Sequence, residues 1–310
     1  MKEHKEVYCS EPQRFNRVGI VLRKDTPGIH EQTLELIRYL LKGGKKVFLE
    51  DSSFAAIVPR LQKQGILSEV DKTPMNQIGR YSDVVVVIGG DGTLLLVARE
   101  IVEEGVPIIG LNRGRLGFLT QVSWETDSMS MLKNILVGRC RREQRTLLEG
   151  SVIRDGEVAY RSVALNEVVI SRSGLGNLIE FEVFVDDEFV YTQRSDGLIV
   201  STPTGSTAYS LASGGPILYA TLPALNLVPI CPQSMSNRPV VISETSQVNI
   251  LIVSGSDARV HFDGSSFFDL KNLDRVQVKK HARSITLLQP PDYSYFNTLR
   301  RKLRWGEQLV

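Results

Sequence analysis

The stretch Asp83-Val-Val-Val-Val-Ile88-Gly-Gly-Asp-Gly-Thr93 decides the fold, because an apolar strand pattern runs straight into glycines and then into a helical pattern from Leu94 to Glu104. Glycines at a strand-to-helix junction let backbone N–H groups approach an anion without interference from Cβ, and the helix N-terminus adds partial positive charge. The junction therefore predicts a phosphate-binding loop made of Gly89, Gly90, Asp91, Gly92 and Thr93.

Asp91 is unexpected in such a loop, since a carboxylate repels phosphate. The carboxylate suits a loop that also holds a metal ion, or one in which it accepts a proton from a hydroxyl that attacks phosphorus. The alternative is an ordinary turn in which Asp91 or Thr93 caps the helix. Neither common nucleotide pattern fits here: G-x-x-x-x-G-K-[ST] is missing from the chain, and Leu95 occupies the third glycine position of G-x-G-x-x-G.

Strand and helix patterns alternate on both sides of this junction. Strands are predicted at Arg17–Leu22, Lys46–Leu49 and Val106–Ile109, with helices between them. The alternation predicts an α/β N-terminal domain, residues 1–125, with a parallel, Rossmann-like sheet. The glycine loop then lies at the carboxyl end of a parallel strand, where ligands bind in open α/β sheets.

The second part of the chain has short alternating runs separated by hairpin turns. Asp155-Gly156 is a strong two-residue turn signal, and a second hairpin is predicted from Glu180 to Tyr191. These patterns predict an all-β, sandwich-like C-terminal domain, residues 126–290. The tail, residues 291–310, is expected to pack back onto the N-terminal domain.

Composition limits the classes of function. A chain of 310 residues with 42% hydrophobic content can bury a large core, and no apolar run is long enough for a membrane span. The absence of an apolar N-terminal segment and the odd number of cysteines, 3, predict a cytoplasmic protein with reduced thiols. A net charge of +2 argues against nucleic acid as a partner, and the 4 histidines lack metal-ligand spacing, so no metal ligand is assigned.

Two further groups of polar residues stand out. The run from Asp196 to Pro216 places an apolar strand before a segment rich in hydroxyls and glycine, which suits hydrogen bonds to a sugar, an amide or a phosphate. Its alternative is an ordinary serine- and threonine-rich loop. Asn166 and Glu167 interrupt the apolar strand Val163–Ile170, either to bind ribose hydroxyls or because Glu167 faces solvent and Asn166 lies at a sheet edge.

Four motifs, taken in order, resemble the NAD kinase family over nearly the whole chain. They are Gly89–Thr93, Leu111–Leu119, Asn166-Glu167 and Asp196–Pro216. The glycine-Asp motif is shared with diacylglycerol kinase, sphingosine kinase and phosphofructokinase relatives, whereas Thr202–Ser210 resembles NAD kinases specifically. The tail Asp292–Thr298 is similar to the proteobacterial branch. The resemblance implies transfer of the γ-phosphate of ATP to the 2′-hydroxyl of the adenosine ribose of NAD, with a divalent metal such as Mg²⁺ or Mn²⁺.

The resemblance also implies roles for individual residues. Asp91 matches the general base, and Asn166 with Glu167 matches the pair that binds ribose hydroxyls and the nicotinamide side. NAD-contacting positions fall on a further set of residues: Asn177, Arg194, Asp196, Thr207, Ala208, Tyr209, Ser210, Leu211 and Ala212. Arg194 resembles members restricted to oxidised NAD, which predicts a preference for NAD over NADH.

The chain departs from the family pattern at Ser265, where many relatives carry glutamine, and in the order Ala212-Ser213. A homodimer or homotetramer is expected, with NAD and ATP as ligands and without a membrane partner. Two rival functions are a lipid kinase of the diacylglycerol type, which needs a path for an acyl chain, and a non-catalytic NAD-binding regulator in which Asp91 only caps a helix.

Overall fold

The structure, a computed structural model, describes residues 15–23, 29–112, 117–123, 128–174, 177–234, 236–255, 257–304 and 306. Contacts divide the chain into two compact units, the first comprising Met1–Gln144 with Ile285–Val310 and the second Arg145–Ser284. The domain boundary predicted between residues 125 and 126 lies within the first unit. None of the described helices is long and apolar enough to cross a membrane.

The first unit is built around a parallel sheet with the strand order β3-β2-β1-β4-β5, and β6 pairs with β5. Its elements up to the second unit are β1 (Arg17–Leu22), α1 (Ile29–Lys42), β2 (Lys46–Glu50), α2 (Asp51–Lys63), β3 (Val70–Thr73), α3 (Ile78–Tyr81), β4 (Val84–Ile88), α4 (Asp91–Glu100), β5 (Ile108–Asn112), β6 (Val122–Ser123) and α5 (Ser128–Leu136). The prediction of a parallel, Rossmann-like sheet is confirmed.

Burial explains why β4 is an unbroken apolar run. All five of its residues are buried, as expected for a central strand of a parallel sheet that is covered on both faces. Helix α1 instead alternates buried and exposed positions, and its buried side packs into the same core as β1 through residues such as Leu34 and Ile37. The sheet therefore presents its functional groups at strand ends, where backbone and side chains reach solvent.

The second unit consists mainly of antiparallel strands. Its elements are β7 (Arg141–Arg154), which begins in the first unit, β8 (Glu157–Ala164), β9 (Glu167–Arg172), β10 (Ile179–Val185), β11 (Glu188–Ser195), β12 (Gly197–Ser201), α6 (Tyr209–Ala212), β13 (Ala224–Ile230), β14 (Val240–Ser243), β15 (Val248–Ser254), β16 (Ala258–Phe262) and β17 (Ser266–Asp269). The chain then continues through β18 (Arg275–Gln289) to α7 (Tyr295–Leu303). The last residues of β18 and all of α7 belong to the first unit, where Leu287 pairs with Ile108 of β5.

Two sheets of the second unit share one hydrophobic core. The six-stranded sheet has the order β14-β13-β12-β9-β16-β17, and the other contains the run β11-β10-β15-β18. Leu198 and Val260 from the first sheet belong to the same buried cluster as Phe181, Ile250 and Val276 from the second. Burial of apolar side chains between two sheets is the arrangement of a β-sandwich, so the predicted sandwich-like fold is confirmed.

The two predicted hairpins form as expected. Asp155 and Gly156 have φ angles of 53° and 84°, and Asp186 and Asp187 have φ angles of 50° and 66°. Positive φ at both central residues is the requirement of the tight turn whose twist matches the flanking strands. The aspartates and glycine at these positions therefore determine the two registers locally.

The strand predicted as continuous from Val163 to Ile170 is broken in the structure. β8 ends at Ala164 and β9 begins at Glu167, with a bend at Leu165 and Asn166. The carboxylate of Asp263 accepts backbone N–H hydrogen bonds from Leu165, Asn166 and Glu167 at 2.8–3.2 Å. The side chain of Asp263, nearly a hundred positions away, thus replaces the backbone carbonyls of a neighbouring strand as the acceptor. The local sequence pattern does not reveal this replacement.

Candidate functional site

The glycine loop lies at a topological switch point of the first unit. β1 and β4 are neighbours in the sheet, yet the chain leaves β1 toward β2 and β3 on one side and leaves β4 toward β5 on the other. The carboxyl ends of two such strands leave a crevice between them, which is where open α/β sheets bind ligands. Helix α4 begins at Asp91 rather than at Leu94 as predicted, so Gly89 and Gly90 alone form the connection.

A cavity of about 550 Å³ opens at this switch point. It is lined by residues at the ends of β1, β2 and β4 and by the first turns of α4: Val21, Leu22, Arg23, Glu50, Ser52, Met75, Gly90, Asp91, Gly92, Thr93 and Leu96. Its volume is within the range of small-molecule sites, about 300–1,000 Å³. Gly90, Asp91, Gly92 and Thr93 at the start of α4 line the cavity, and a helix N-terminus favours an anion.

Gly92 has no steric reason within the described chain to be glycine. A Cβ built on it meets no atom within 4 Å, and its φ lies outside the left-handed region. Gly117, in contrast, must be glycine, because a Cβ there would lie 1.9 Å from Oδ1 of Asp91. Glycine costs stability within a helix, so its presence at position 92 indicates close approach by something other than the protein.

Arg23 is a site residue that the sequence reasoning missed. Its backbone N–H donates to the carbonyl of Ile88 at 2.9 Å, which ties it to the end of β4, and its Nη1 lies 3.7 Å from where a Cβ of Gly90 would be. Among the described residues it has no carboxylate partner. The sequence offered one indication of this role: Arg23 is a cation that directly follows β1, and β1 pairs with β4, the strand before the glycine loop.

The Asp91 carboxylate is half-buried and fully oriented by hydrogen bonds. Oδ1 accepts from the backbone N–H groups of Leu119 and Thr120 and from the Thr120 hydroxyl, and Oδ2 accepts from the N–H of Phe118 at 2.8 Å. Asp91 therefore anchors residues 118–120, which belong to the motif Leu111–Leu119 and its continuation. Residues 113–116 of that motif lie outside the described part of the chain.

In the second unit, Asn166 and Glu167 lie at the bend that Asp263 creates. Glu167 is buried, with 7% exposure, so the alternative that it faces solvent is wrong. Burial, with the nearby Asp263 carboxylate, raises the pKa of Glu167 to about 8. Its Oε2 and the side-chain amide of Asn166 have no hydrogen-bond partner among the described residues. Two unsatisfied polar groups at one bend are suited to a polar ligand.

The hydroxyl-rich segment packs against this bend. The Thr202 hydroxyl donates to the carbonyl of Leu165 at 2.6 Å, and the Thr202 N–H donates to the carbonyl of Asn166 at 2.9 Å. Gly205 passes so close that a Cβ would lie 2.2 Å from the Asn166 carbonyl oxygen. The close approach explains the glycine and brings Asn166, Glu167 and the start of the segment together.

Most hydroxyls of the segment are used inside the protein. Ser206 bonds to the carbonyl of Pro203 and to the backbone of Leu218, and Ser210, fully buried, accepts from the side-chain amide of Asn226 at 3.1 Å. The neighbouring side chains remain accessible: Tyr209 is 44% exposed, and Thr207, Ala208, Leu211 and Ala212 are partly or fully exposed. The segment is a rigid frame that presents Tyr209, rather than a row of free hydroxyls.

Three more predicted residues lie at other places in the second unit. Asp196 forms an ion pair with Arg172, with Nε 2.6 Å from Oδ1, and Arg172 is a second residue that the sequence reasoning missed. Arg194 lies on β11 at a separate cavity of about 460 Å³, with its Nε 3.8 Å from Oε2 of Glu180. Asn177 is exposed between β9 and β10, and no described hydrogen bond joins it to the other predicted residues.

Other candidate groups have structural explanations. Within the described ranges, no cluster of three or more His, Cys, Asp or Glu residues could hold a metal ion without help from a ligand. The Ser265 hydroxyl donates to the Phe262 carbonyl at 3.1 Å, in the turn that carries Asp263. Its hydrogen bond supports the turn that positions the Asp263 carboxylate.

Comparison with known proteins gives one consistent result. The model of the ATP-NAD kinase N-terminal domain matches residues 18–140, and that of the ATP-NAD kinase C-terminal domain matches residues 165–289. An NAD kinase of Neisseria gonorrhoeae is 53% identical over 296 residues, 96% of this chain and 99% of its own length.

Two solved structures share the fold. A yeast NADH kinase complexed with NADH superposes with a TM-score of 0.87 at 25% identity, over 97% of this chain and 90% of the yeast chain. An NAD kinase from Archaeoglobus fulgidus in complex with ATP superposes with a TM-score of 0.70 at 24% identity, over 93% of this chain and 98% of that chain.

Proposed function

The chain belongs to the NAD kinase family, and from that membership we propose which of its residues bind each substrate. The reaction is transfer of the γ-phosphate of ATP to the 2′-hydroxyl of the adenosine ribose of NAD, which yields NADP. The family match covers both units, so neither a diacylglycerol-type lipid kinase nor a non-catalytic regulator is supported. The assignment of individual residues depends on the geometry of each unit.

The phosphates of ATP are assigned to the cavity at the switch point of the first unit. The observation that carries this assignment is the pair of glycines, Gly90 and Gly92, at the cavity beside the cation of Arg23, which has no carboxylate partner among the residues that the structure describes. Backbone N–H groups and a guanidinium bind phosphate oxygens with charge-assisted hydrogen bonds. Arg23 supplies the second phosphate-binding group, which the glycine motif alone lacks.

The residues around this cavity also fit a divalent metal held mainly by substrate phosphates. Glu50 and Asp91 are the acids that line it, and Glu50 already accepts hydrogen bonds from Ser52 and Ser53 at the start of α2. Mg²⁺ commonly takes one or two carboxylates together with phosphates and water, so Asp91 would hold the metal as the alternative to its role as general base. The metal, when bound, neutralises phosphate charge that opposes nucleophilic attack.

We assign Asp91 as the general base for the 2′-hydroxyl. Its hydrogen bonds with residues 118–120 hold the carboxylate in one orientation, which is what proton transfer in a defined geometry requires. Oδ2 has a single donor among the described residues and keeps a lone pair for a proton. The same hydrogen bonds make Asp91 an anchor of its neighbouring loop, so an experiment must separate the two roles.

NAD is assigned to the second unit through Asn166, Glu167 and Tyr209. The free amide of Asn166 and the unpartnered Oε2 of Glu167 suit ribose hydroxyls, and the exposed ring of Tyr209 offers a face for a base. Asp196 contributes as an ion pair with Arg172, which limits the rotation of its carboxylate. Thr207, Ala208, Leu211 and Ala212 supply contacts around Tyr209, and buried Ser210 holds the segment in place.

We propose roles in substrate binding for the remaining predicted residues as well. Gly89 and Thr93 complete the phosphate loop, and Asn177 is an outer contact to NAD. Arg194, which lines a cavity of the second unit, is assigned the selection of NAD over NADH because family members restricted to oxidised NAD resemble this chain in carrying arginine there. We also propose a homodimer or homotetramer in the cytoplasm.

The experiment uses purified wild-type protein, Asp91→Asn and Thr120→Val with NAD, ATP and Mg²⁺, and an NADP-specific dehydrogenase reports the product. Thr120→Val removes one hydrogen bond from the Asp91 carboxylate but keeps its charge. Loss of a general base lowers kcat by about 10²–10⁴-fold, whereas the loss of a single hydrogen bond, about 1 kcal/mol, lowers it less than about tenfold. Thermal unfolding of each variant confirms that the fold is retained.

Two results would contradict these assignments. Equal losses in Asp91→Asn and Thr120→Val would mean that Asp91 acts as a loop anchor and not as the base. Absence of NADP in the wild-type protein with every donor and metal, despite NAD binding, would instead favour a non-catalytic regulator.

A further inference from the structure

The first unit has a second cavity, which lies at the opposite end of the parallel strands from the glycine loop. It has a volume of about 750 Å³ and is lined by Phe15, Tyr39, Leu40, Lys42, Gly43, Lys45, Leu136, Val137, Gly138 and Arg139. Phe15 precedes β1 and Lys45 precedes β2, so the cavity is at the amino ends of parallel strands, whereas the glycine loop follows the carboxyl end of β4. The two cavities share no lining residue.

The walls of this cavity are apolar. Phe15, Leu40 and Leu136 belong to the buried core that lies beneath it, and the half-buried ring of Tyr39 has Nζ of Lys133 4.8 Å from its centroid. A cavity of this size with apolar walls buries the body of a small organic molecule. Water alone gains little from such walls, since they offer few hydrogen bonds.

The rim of the cavity is positively charged. Lys42, Lys45 and Arg139 line it, and none of the described residues that line it carries a carboxylate. The side chains of Lys42 and Arg139 have no hydrogen-bond or ion-pair partner in the described part of the chain, and the Lys45 ammonium donates to the neutral side chain of Asn16 at 3.1 Å. Lys42 is in the last turn of α1, where a cation offsets the helix dipole, but Lys45 and Arg139 lie beyond the helix ends.

We propose that this cavity binds a small amphipathic organic anion, with an apolar body against Leu40 and Leu136 and one carboxylate, sulfonate or phosphate group at Lys45 and Arg139. The apolar walls select a body that buries little polar surface, and the cations at the rim select its charge. The site is separate from the proposed substrate sites, with which it shares no described lining residue.

The probe is 8-anilinonaphthalene-1-sulfonate, an aromatic anion that fluoresces in apolar surroundings, titrated into the full chain with saturating NAD. We expect one saturable site per chain and displacement of the dye by decanoate. Lys45→Gln combined with Arg139→Gln is expected to weaken dye binding about tenfold, since each substitution removes one charge-assisted contact. N-phenyl-1-naphthylamine, which has the same rings without the sulfonate, is expected to bind the double variant and the wild-type protein equally.

Two further variants serve as controls. Lys46→Gln removes an exposed cation next to Lys45 that does not line the cavity, and it is expected to leave dye binding unchanged. Val137→Trp, at a side chain 48% exposed, fills the cavity and is expected to weaken both probes. Absence of a saturable signal, displacement of the dye by NAD, or equal affinity of the double variant and the wild-type protein for the dye would each overturn the proposal.

Discussion

Replacing Gly92 with alanine tests whether the glycine exists for a ligand or for the protein. The new Cβ meets no atom of the described residues within 4 Å, and residue 92 is exposed in the first turn of α4. Alanine has less conformational freedom than glycine in the unfolded chain, so Gly92→Ala is expected to stabilise folding by about 0.5 kcal/mol. The same methyl group projects into the proposed phosphate site and prevents close approach of ATP to the backbone.

The loss of activity can be estimated from the contacts that the methyl group blocks. Loss of one preorganised backbone donor to a transition state costs about 10²–10³-fold in rate, or about 3–4 kcal/mol. We therefore expect kcat/KM for ATP to fall by at least about 100-fold, while binding of NAD to the second unit is unchanged. The assay couples NADP formation to an NADP-specific dehydrogenase, and urea unfolding measures stability.

Gly117→Ala is the matched control, because both variants add one methyl group near Asp91. Its Cβ would lie 1.9 Å from Oδ1 of Asp91 and 2.3 Å from the Thr120 hydroxyl, so this variant is expected to lose stability as well as activity. The reasoning is refuted if Gly92→Ala keeps ATP turnover within about twofold of wild type, since loss of a backbone donor would cost far more. Destabilisation of Gly92→Ala by more than about 1 kcal/mol would show that position 92 needs glycine for the fold.

Three further predictions concern the second unit. Asp274→Asn leaves the partly exposed Arg154 without its buried partner, 2.7 Å away, and is expected to cost about 1.5–3 kcal/mol in urea unfolding, against less than about 1 kcal/mol for Arg259→Ala at an exposed pair. Burial raises the pKa of Glu167 from 4.5 to about 8, so the folded state binds the extra proton, and the free energy of unfolding falls as pH rises through that window. Glu167→Gln is expected to remove this fall, roughly 5 kcal/mol, in unfolding measured at each pH, and an unchanged pH profile would contradict the pKa. Arg194→Gly is expected to raise NADH turnover relative to NAD by about tenfold or more in parallel assays, and an unchanged ratio would exclude Arg194 as the selecting residue.

Local patterns were enough to predict elements whose geometry is a property of neighbouring residues. The β4 run and the glycines after it predicted a strand followed by a helix, and Asp155-Gly156 predicted a tight hairpin, because turn geometry depends on which residues accept positive φ. The start of α4 was predicted three residues late, since the apolar periodicity begins at Leu94 while the backbone turns helical at Asp91. Periodicity reports side-chain burial, and the first turn of a helix is frequently exposed.

Site residues separated in sequence could not be predicted in the same way. Arg23 belongs to the phosphate cavity only because β1 lies next to β4, although β2 and β3 come between them in the chain. Arg172 becomes a partner of Asp196 only because the chain places β9 beside β12. Strand order is a consequence of packing the whole sheet, and no local pattern contains it.

The sequence by itself determined the alternation of strands and helices, the hairpin turns, the glycine loop and, through its motifs, the family. Only the tertiary structure decided that Glu167 is buried, that Asp263 bends the chain in front of it, and that Gly92 is open while Gly117 is enclosed. The physical reason is the distance along the chain over which each effect acts. Backbone propensity and periodicity depend on residues that are close in sequence, whereas burial, pKa and steric space depend on atoms brought together from distant parts of the chain.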